Sequence, residues 1–201
     1  YDLGNQLFET FLDPTLMYSS ALFADDTNDL HSASLEKLDH ICRKLHLEPT
    51  DHVLEIGTGW GGFAIHAADH YGCRVTTTTI SEEQYEHAVR LVKERNLEDR
   101  VTVLKQDYRD LTGQYDKLVS IEMIEAVGHH YLDTYVNTLS ERLKPNGLAL
   151  IQAITIVEQR YQIAVTSVDF IKRYIFPGGF IPSIGSIMQS IGRASDLRLL
   201  H

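Results

Sequence analysis

The stretch "LEIGTGWGGFA" (54–64) sets Gly57, Gly59, Gly61 and Gly62 directly behind a short apolar run and ahead of a helical pattern. A glycine-dense turn between a strand and a helix lets backbone amides approach a ligand closely, a device of layered α/β domains. The flanking patterns agree. "HVLEIG" (52–57) reads as a buried strand, "GGFAIHAADHYG" as a helix ended by Gly72, and "CRVTTTTI" (73–80) as a β-branched strand. "SEEQYEHAVRLVKERNL" opens with a Ser-x-x-Gln capping box and continues as a helix. Further strands are expected over 100–106, 115–122 and 147–156, with helices near 130–143 and over 32–47, the latter capped by Ser34. This alternation predicts a mostly parallel sheet covered by helices on both faces, with ligands at the carboxyl ends of its strands.

Gly57, Gly59 and Gly62 fit G-x-G-x-x-G, which raises a dinucleotide site. Such a site also wants an acid at the end of the second strand to hold a ribose, and that strand ends "TTTTIS". An acid stands before the loop instead. Glu55 offers nothing to a pyrophosphate but suits a ligand that carries an ammonium and a sulfonium, as S-adenosylmethionine does. The E-x-G-x-G-x-G order from Glu55 to Gly61 favours that cofactor over a dinucleotide or a purely structural turn.

With 201 residues, 43% of them hydrophobic, the chain suits one globular domain over 1–201. Within it we expect a helical lead-in over about 1–50, a cofactor-binding core over about 51–157 and a helical segment over about 158–194. A net charge of −10 argues against nucleic acid and against a polybasic membrane tether. The longest apolar run, "LALIQAITIV" (148–157), is about half the ~20 residues of a membrane span. Cys42 and Cys73 form no CxxC pair, so the expected compartment is a reducing cytoplasm. His66 and His70 share a helix face without HExxH or a third ligand, so no metal is expected. His129 and His130 are read as surface or cap residues. The ends "YDLGNQLF" and "DLRLLH" suggest an excerpt of a longer chain.

Taken together, "YDLGNQLFETFLDPTLMYSSALF", "VLEIGTGWGGFAIHAA", "TISEEQ", "QDYRDL", "IEMIEAVGHHYLDTY" and "YIFPGGFIPS" resemble the catalytic domain of cyclopropane-fatty-acyl-phospholipid synthases and mycolic acid cyclopropane synthases. The resemblance implies a Rossmann-like class I methyltransferase fold, here without its C-terminal strands. It implies methyl transfer from S-adenosylmethionine to a cis double bond of an unsaturated phospholipid acyl chain, followed by closure of a cyclopropane. Cofactor contacts carried over are Tyr18 and Ser19; the loop and its strand, Val53, Leu54, Glu55, Ile56, Gly57, Thr58, Gly59, Trp60 and Gly61; Thr79 and Gln84 at the ribose; and Asp107 and Tyr108 at adenine. Each has a plainer reading: Tyr18 as packing, Gln84 as part of the capping box, Asp107 as a turn cap.

The family's base is a bound bicarbonate. Glu125 matches its glutamate, with Ser20 and Ile154 as further contacts and Gln152 standing where the family has histidine. Ser20 replaces a cysteine, and Glu122 fills a position usually held by a small residue. A dry, apolar acyl pocket is expected from Phe170, Tyr174, Ile175, Phe180, Ile184 and Met188, which ordinary core packing would also explain. The resemblance further implies a cytoplasmic enzyme that meets the inner membrane face through regions outside this excerpt, and allows a homodimer. Methylation of a small amine, methylation of the acyl chain without ring closure, and cofactor binding without catalysis are the alternatives.

Overall fold

The computed structural model describes residues 8–24 and 29–201. Five strands, β1 (His52–Ile56), β2 (Arg74–Thr79), β3 (Val101–Lys105), β4 (Tyr115–Ile121) and β5 (Leu143–Gln152), form one sheet in the order β3-β2-β1-β4-β5. β1 runs parallel to both β2 and β4, and β2 parallel to β3. The order reverses beside β1, so the loop leaving β1 lies at the switch point where open α/β sheets hold ligands. Val53, Leu54 and Ile56 are fully buried. Burial of every position from Val53 to Ile56, Glu55 included, marks a strand covered on both faces, and each of the three apolar side chains contributes roughly 1.5–3 kcal/mol.

β2 buries four consecutive threonines, Thr76 to Thr79, because each hydroxyl has a partner. Thr76 meets His52 Nε2 at 2.9 Å and Thr77 donates to Glu55 at 2.6 Å. Thr78 donates to the Gln106 carbonyl at 2.5 Å and Thr79 to Gln84 Oε1 at 2.8 Å.

The chain divides into two compact units, Tyr1–Val119 with Leu143–Leu150, and Ser120–Arg142 with Ile151–His201. The first holds the sheet core with α1 (Leu30–Lys44), α2 (Gly62–Tyr71) and α3 (Glu82–Glu94). In the second, α4 (Leu132–Arg142) packs on α6 (Ile184–Ala194), and Asp133 accepts from Ser190 Oγ at 2.6 Å and from two nitrogens of Arg193 at 2.7 Å each. That unit also holds α5 (Glu158–Thr166), a π-helical turn at Ile171–Ile175 and 3₁₀ turns at Ile124–Ala126 and His129–Tyr131.

Three boundaries differ from the sequence expectation. α1 starts at Leu30 because Asp29 caps it, accepting from the Ser32 amide at 2.7 Å; Ser34 is buried inside the helix. α4 begins at Leu132, after a single 3₁₀ turn at His129–Tyr131. β5 spans Leu143–Gln152 rather than 147–156. It begins early because Lys144 bonds Asp116 at 2.7 Å, and Gly147, whose Cβ would stand 2.9 Å from the Asp116 carbonyl, permits close approach to β4. It ends early because the Ile154 amide turns to the Glu125 carboxylate. Among the described residues no helix is long and apolar enough to cross a membrane.

Candidate cofactor and base sites

In the first unit, β1 delivers Glu55 and then turns through Gly57, Gly59 and Gly61, all at positive φ (101°, 53° and 91°). The Gly57 and Thr58 amides donate to the Thr78 carbonyl at 3.1 and 3.0 Å, fixing the loop to the end of β2. A Cβ at Gly61 would lie 3.3 Å from Ala88 Cβ, so glycine here serves both conformation and the close approach of α3. Glu55 is 2% exposed, and its Oε2 accepts from Thr77 Oγ1, which in turn meets Thr58 Oγ1 at 2.7 Å. Burial pushes the Glu55 carboxyl up to about 8, against the Thr77 bond and the positive charge of Lys37, both of which pull it down. A sealed carboxyl opposed by so little charge fits a ligand ammonium.

Around the loop, Tyr18 and Trp60 meet edge to face with ring centres 5.3 Å apart, and Phe8 meets Trp60 at a tilt of 52° with ring centres 4.6 Å apart. Tyr18 also stands over Gly59, with its ring 3.8 Å from the place of a Cβ. Ser19 is buried and accepts from the buried Lys37 Nζ at 2.7 Å; Ser20 is exposed. Thr79 and Gln84 bond each other, and the Ser81 amide donates to Thr79 Oγ1 at 3.1 Å, so the capping box expected at α3 is relayed through Thr79. The Asp107 carboxylate binds Arg109 through both oxygens, at 2.9 and 2.6 Å, and caps the 3₁₀ turn Tyr108–Asp110. The Arg109 bonds hold that carboxyl below its usual range, while burial raises the hydroxyl of the neighbouring, half-buried Tyr108.

Sequence reasoning missed Lys37 and Thr77. Lys37 stands four residues before Ile41 on the buried side of α1, and that phase was the available signal.

The second unit gathers Glu122, Glu125, Gln152 and Ile154. Glu125 Oε1 accepts from the Ile154 amide at 2.5 Å, while its Oε2 is buried without a hydrogen-bond partner among the described residues. Burial, and to a lesser degree the charge of Glu122, raise the Glu125 carboxyl above its ordinary value, against the Ile154 bond. Gln152 Nε2 donates to Glu122 Oε1 at 2.9 Å, and the Glu122 amide donates back to the Gln152 carbonyl at 2.8 Å. Phe180, 4% exposed, donates its amide to the Glu125 carbonyl at 2.9 Å. A buried, unpaired carboxyl oxygen beside a paired carboxylate and amide is a place to hold or move a proton.

Among the residues expected to line an acyl pocket, Phe180 is buried, Met188 is half-buried, and Phe170, Tyr174, Ile175 and Ile184 are exposed. The rings of Phe170 and Tyr174 meet at a tilt of 43° with centres 5.2 Å apart. His129 and His130 touch ring to ring at 3.7 Å. His66 and His70 stack at 4.4 Å, with His66 Nε2 3.3 Å from Asp39. No group of three or more metal-ligating side chains occurs among the described residues.

The family model described as mycolic acid cyclopropane synthetase matches residues 1–201. The chain is 44% identical over 190 residues to the cyclopropane-fatty-acyl-phospholipid synthase of Escherichia coli K12, covering 94% of this chain and 47% of that protein. To the tuberculostearic acid methyltransferase UfaA1 of Mycobacterium tuberculosis it is 39% identical over 207 residues, covering 100% and 48%. The chain thus spans about half the length of these curated relatives. Among solved structures, the cyclopropane synthase MmaA2 from M. tuberculosis superposes with a TM-score of 0.90 at 28% identity, over 100% of this chain and 73% of that one. The mycolic acid cyclopropane synthase CmaA1, determined with SAH and CTAB, superposes at 0.88 with 30% identity, over 96% and 71%.

Proposed function

The chain belongs to the mycolic acid cyclopropane synthetase family, and we propose that it forms the S-adenosylmethionine-dependent catalytic part of an enzyme that adds a methylene bridge to a cis double bond of a lipid acyl chain. The observation that carries this reading is the pair of unusual carboxyls: Glu55, sealed at the mouth of a glycine loop, and Glu125, with a buried oxygen lacking a partner. The relatives' names and the SAH in the CmaA1 structure support the cofactor.

Glu55 takes the methionine ammonium, and Tyr18, Ser19 and Trp60 border that end. Thr79 and Gln84 serve the ribose, Asp107 and Tyr108 the adenine. The cofactor supplies an electrophilic methyl on a sulfonium. An alkene is a weak nucleophile without a proton to lose first, so the protein must align it and keep water from the cationic carbon that results. A C–H bond of the transferred methyl then breaks, its electron pair closes the ring on the cationic carbon, and the proton passes to a base. Glu125, Gln152 and the Ile154 main chain are the proposed holders of a hydrogencarbonate that serves as that base. The unpaired Glu125 Oε2 fits it, because a carboxyl with a raised proton affinity donates to an anion rather than repelling it.

The acyl acceptor meets Phe170, Tyr174, Ile175, Phe180, Ile184 and Met188, and the exposure of four of these suits a channel whose walls include segments outside this chain. Peripheral contact with a membrane and a homodimer belong to the same proposal for the whole protein.

Incubating the full-length protein with labelled S-adenosylmethionine and mixed phospholipids, then analysing acyl chains by mass spectrometry, tests the reading. Label in acyl chains as one added CH2 with loss of the double bond is expected. Label in small amines, or none, rejects it, and label in saturated branched chains points to methylation without ring closure.

A further inference from the structure

Gln152 is bound twice to Glu122, once through each residue's main chain and once through the side chains. The two ends of a glutamine amide are alike in shape and opposite in hydrogen bonding. A carboxylate tells them apart, since only the N–H end can face it. We propose that Glu122 is a positioning residue that turns the Gln152 nitrogen toward itself and the carbonyl oxygen away, so that Gln152 meets the base site as an acceptor for a hydroxyl-bearing oxyanion. The proposal rests on the base assembly described above.

Three observations carry it. The Nε2 to Oε1 contact is 2.9 Å, within the range of a charge-assisted bond, and it joins residues thirty positions apart. Glu122 holds a φ of +48°, a left-handed backbone that costs an L residue roughly 1–2 kcal/mol and that glycine would adopt freely. Strain kept where a side chain engages another chain segment marks a position selected for that side chain. Glu125 Oε2, buried and unpaired in the same unit, supplies the complementary group. A donor at Glu125 and an acceptor at Gln152 match the anionic oxygen and the hydroxyl of hydrogencarbonate. Nitrate, of similar shape and charge, has no hydroxyl and satisfies only the first.

The test uses the full-length protein with Glu122→Ala, Glu122→Gly and Glu122→Gln, the glycine variant serving to relieve the backbone strain. Turnover is measured in carbon-dioxide-depleted buffer against added sodium hydrogencarbonate, with sodium nitrate as competitor, alongside cofactor affinity and Tm. The alanine and glycine variants should need at least about tenfold more hydrogencarbonate for half activation, as expected for losing one charge-assisted contact, with cofactor affinity within about twofold of wild type. The preference for hydrogencarbonate over nitrate should fall with them, Glu122→Gln should lie between, and the glycine variant should melt no lower than wild type. An unchanged hydrogencarbonate requirement in both variants overturns the proposal, as does lost activity that follows lost Tm alone. If wild type ignores hydrogencarbonate and Glu125→Gln is fully active, the base assembly falls and this role with it. Wild-type dependence with indifferent Glu122 variants removes only the role given to Glu122.

Discussion

Thr77 Oγ1 donates a 2.6 Å hydrogen bond to Glu55 Oε2 across directly paired positions of β1 and β2, and both side chains are sealed from solvent. Desolvation outweighs that bond and the Lys37 charge and leaves the Glu55 carboxyl at about 8. At neutral pH the free protein therefore holds Glu55 protonated, and in the proposed role a cofactor ammonium must ionise it on binding. Titration calorimetry at pH 7 in buffers of different ionisation enthalpy should find close to one proton released. Affinity should rise about tenfold per pH unit between 6 and 7 and level off near 8, where an α-amino group begins to lose its own proton. Binding without proton release would mean that Glu55 is already ionised or does not meet the cofactor.

The same residue taxes the free fold. Its folded proton affinity lies above the unfolded value of 4.5, so between pH 4.5 and 8 the folded chain binds more protons than the unfolded one, and stability falls as pH rises through that window. Glu55→Gln removes the cost. It should raise the Tm of the cofactor-free protein at pH 7 by several degrees, the gain being on the order of 3 kcal/mol at most, and do little at pH 4.5. Cofactor affinity should drop about 10- to 100-fold at the same time. A variant that melts lower at pH 7 would contradict the assignment of a raised carboxyl.

Much of this arrangement is legible in the sequence, and the remainder has identifiable causes. The glycine loop and the apolar run before it set β1, α2 and the place of Glu55, because those signals are local. Four successive threonines read as a strand, yet nothing local says that each hydroxyl answers a different partner, from His52 to Gln106. Lys37 hides because a lysine in an amphipathic helix normally faces water. The early end of β5 and the pairing of Gln152 with Glu122 depend on contacts about thirty residues apart, beyond any periodic pattern. Asp29 and Ser34 are equally suitable caps by type, and only the course of α1 decides between them.

Lys37 connects α1 to the segment proposed to meet the cofactor through a buried 2.7 Å bond to Ser19, and its charge eases the ionisation of Glu55. Lys37→Met keeps the length and apolar stem of the side chain and removes both effects. Cofactor affinity should fall about tenfold, and the pH at which affinity levels off should move upward, since Glu55 would then be harder to ionise. A rescue at pH 8 relative to pH 7 distinguishes this from simple disorder of the segment around Ser19, which would lower affinity equally at both.

Glu125 has one oxygen fixed by the Ile154 amide and the other buried without a partner. Glu125→Gln preserves shape and loses the transferable proton. Turnover should fall at least about 100-fold, the scale for losing a positioned acid or base, while cofactor affinity stays within about twofold. Single-turnover measurement with labelled cofactor and phospholipid vesicles checks this, and full activity would move the amine-acceptor reading ahead.

Gln152 donates to Glu122 and can accept through its carbonyl, but it cannot carry a proton. An imidazole at this position would be held by the same Glu122 carboxylate, whose charge favours the protonated ring, a cation that would hold the hydrogencarbonate base more firmly than a neutral amide does. Gln152→His should therefore shorten the life of the cationic carbon. Fewer chains would lose a different proton or rearrange, and the ratio of cyclopropane to open methyl or methylene chains should rise. The activity profile should also gain a limb between about pH 6 and 8, set by the new ring. Gas chromatography of acyl esters from wild type and variant, across that pH range and with hydrogencarbonate depleted or restored, reads both effects. Identical product ratios and identical profiles would show that the step controlling the product lies outside the Glu122, Glu125 and Gln152 cluster.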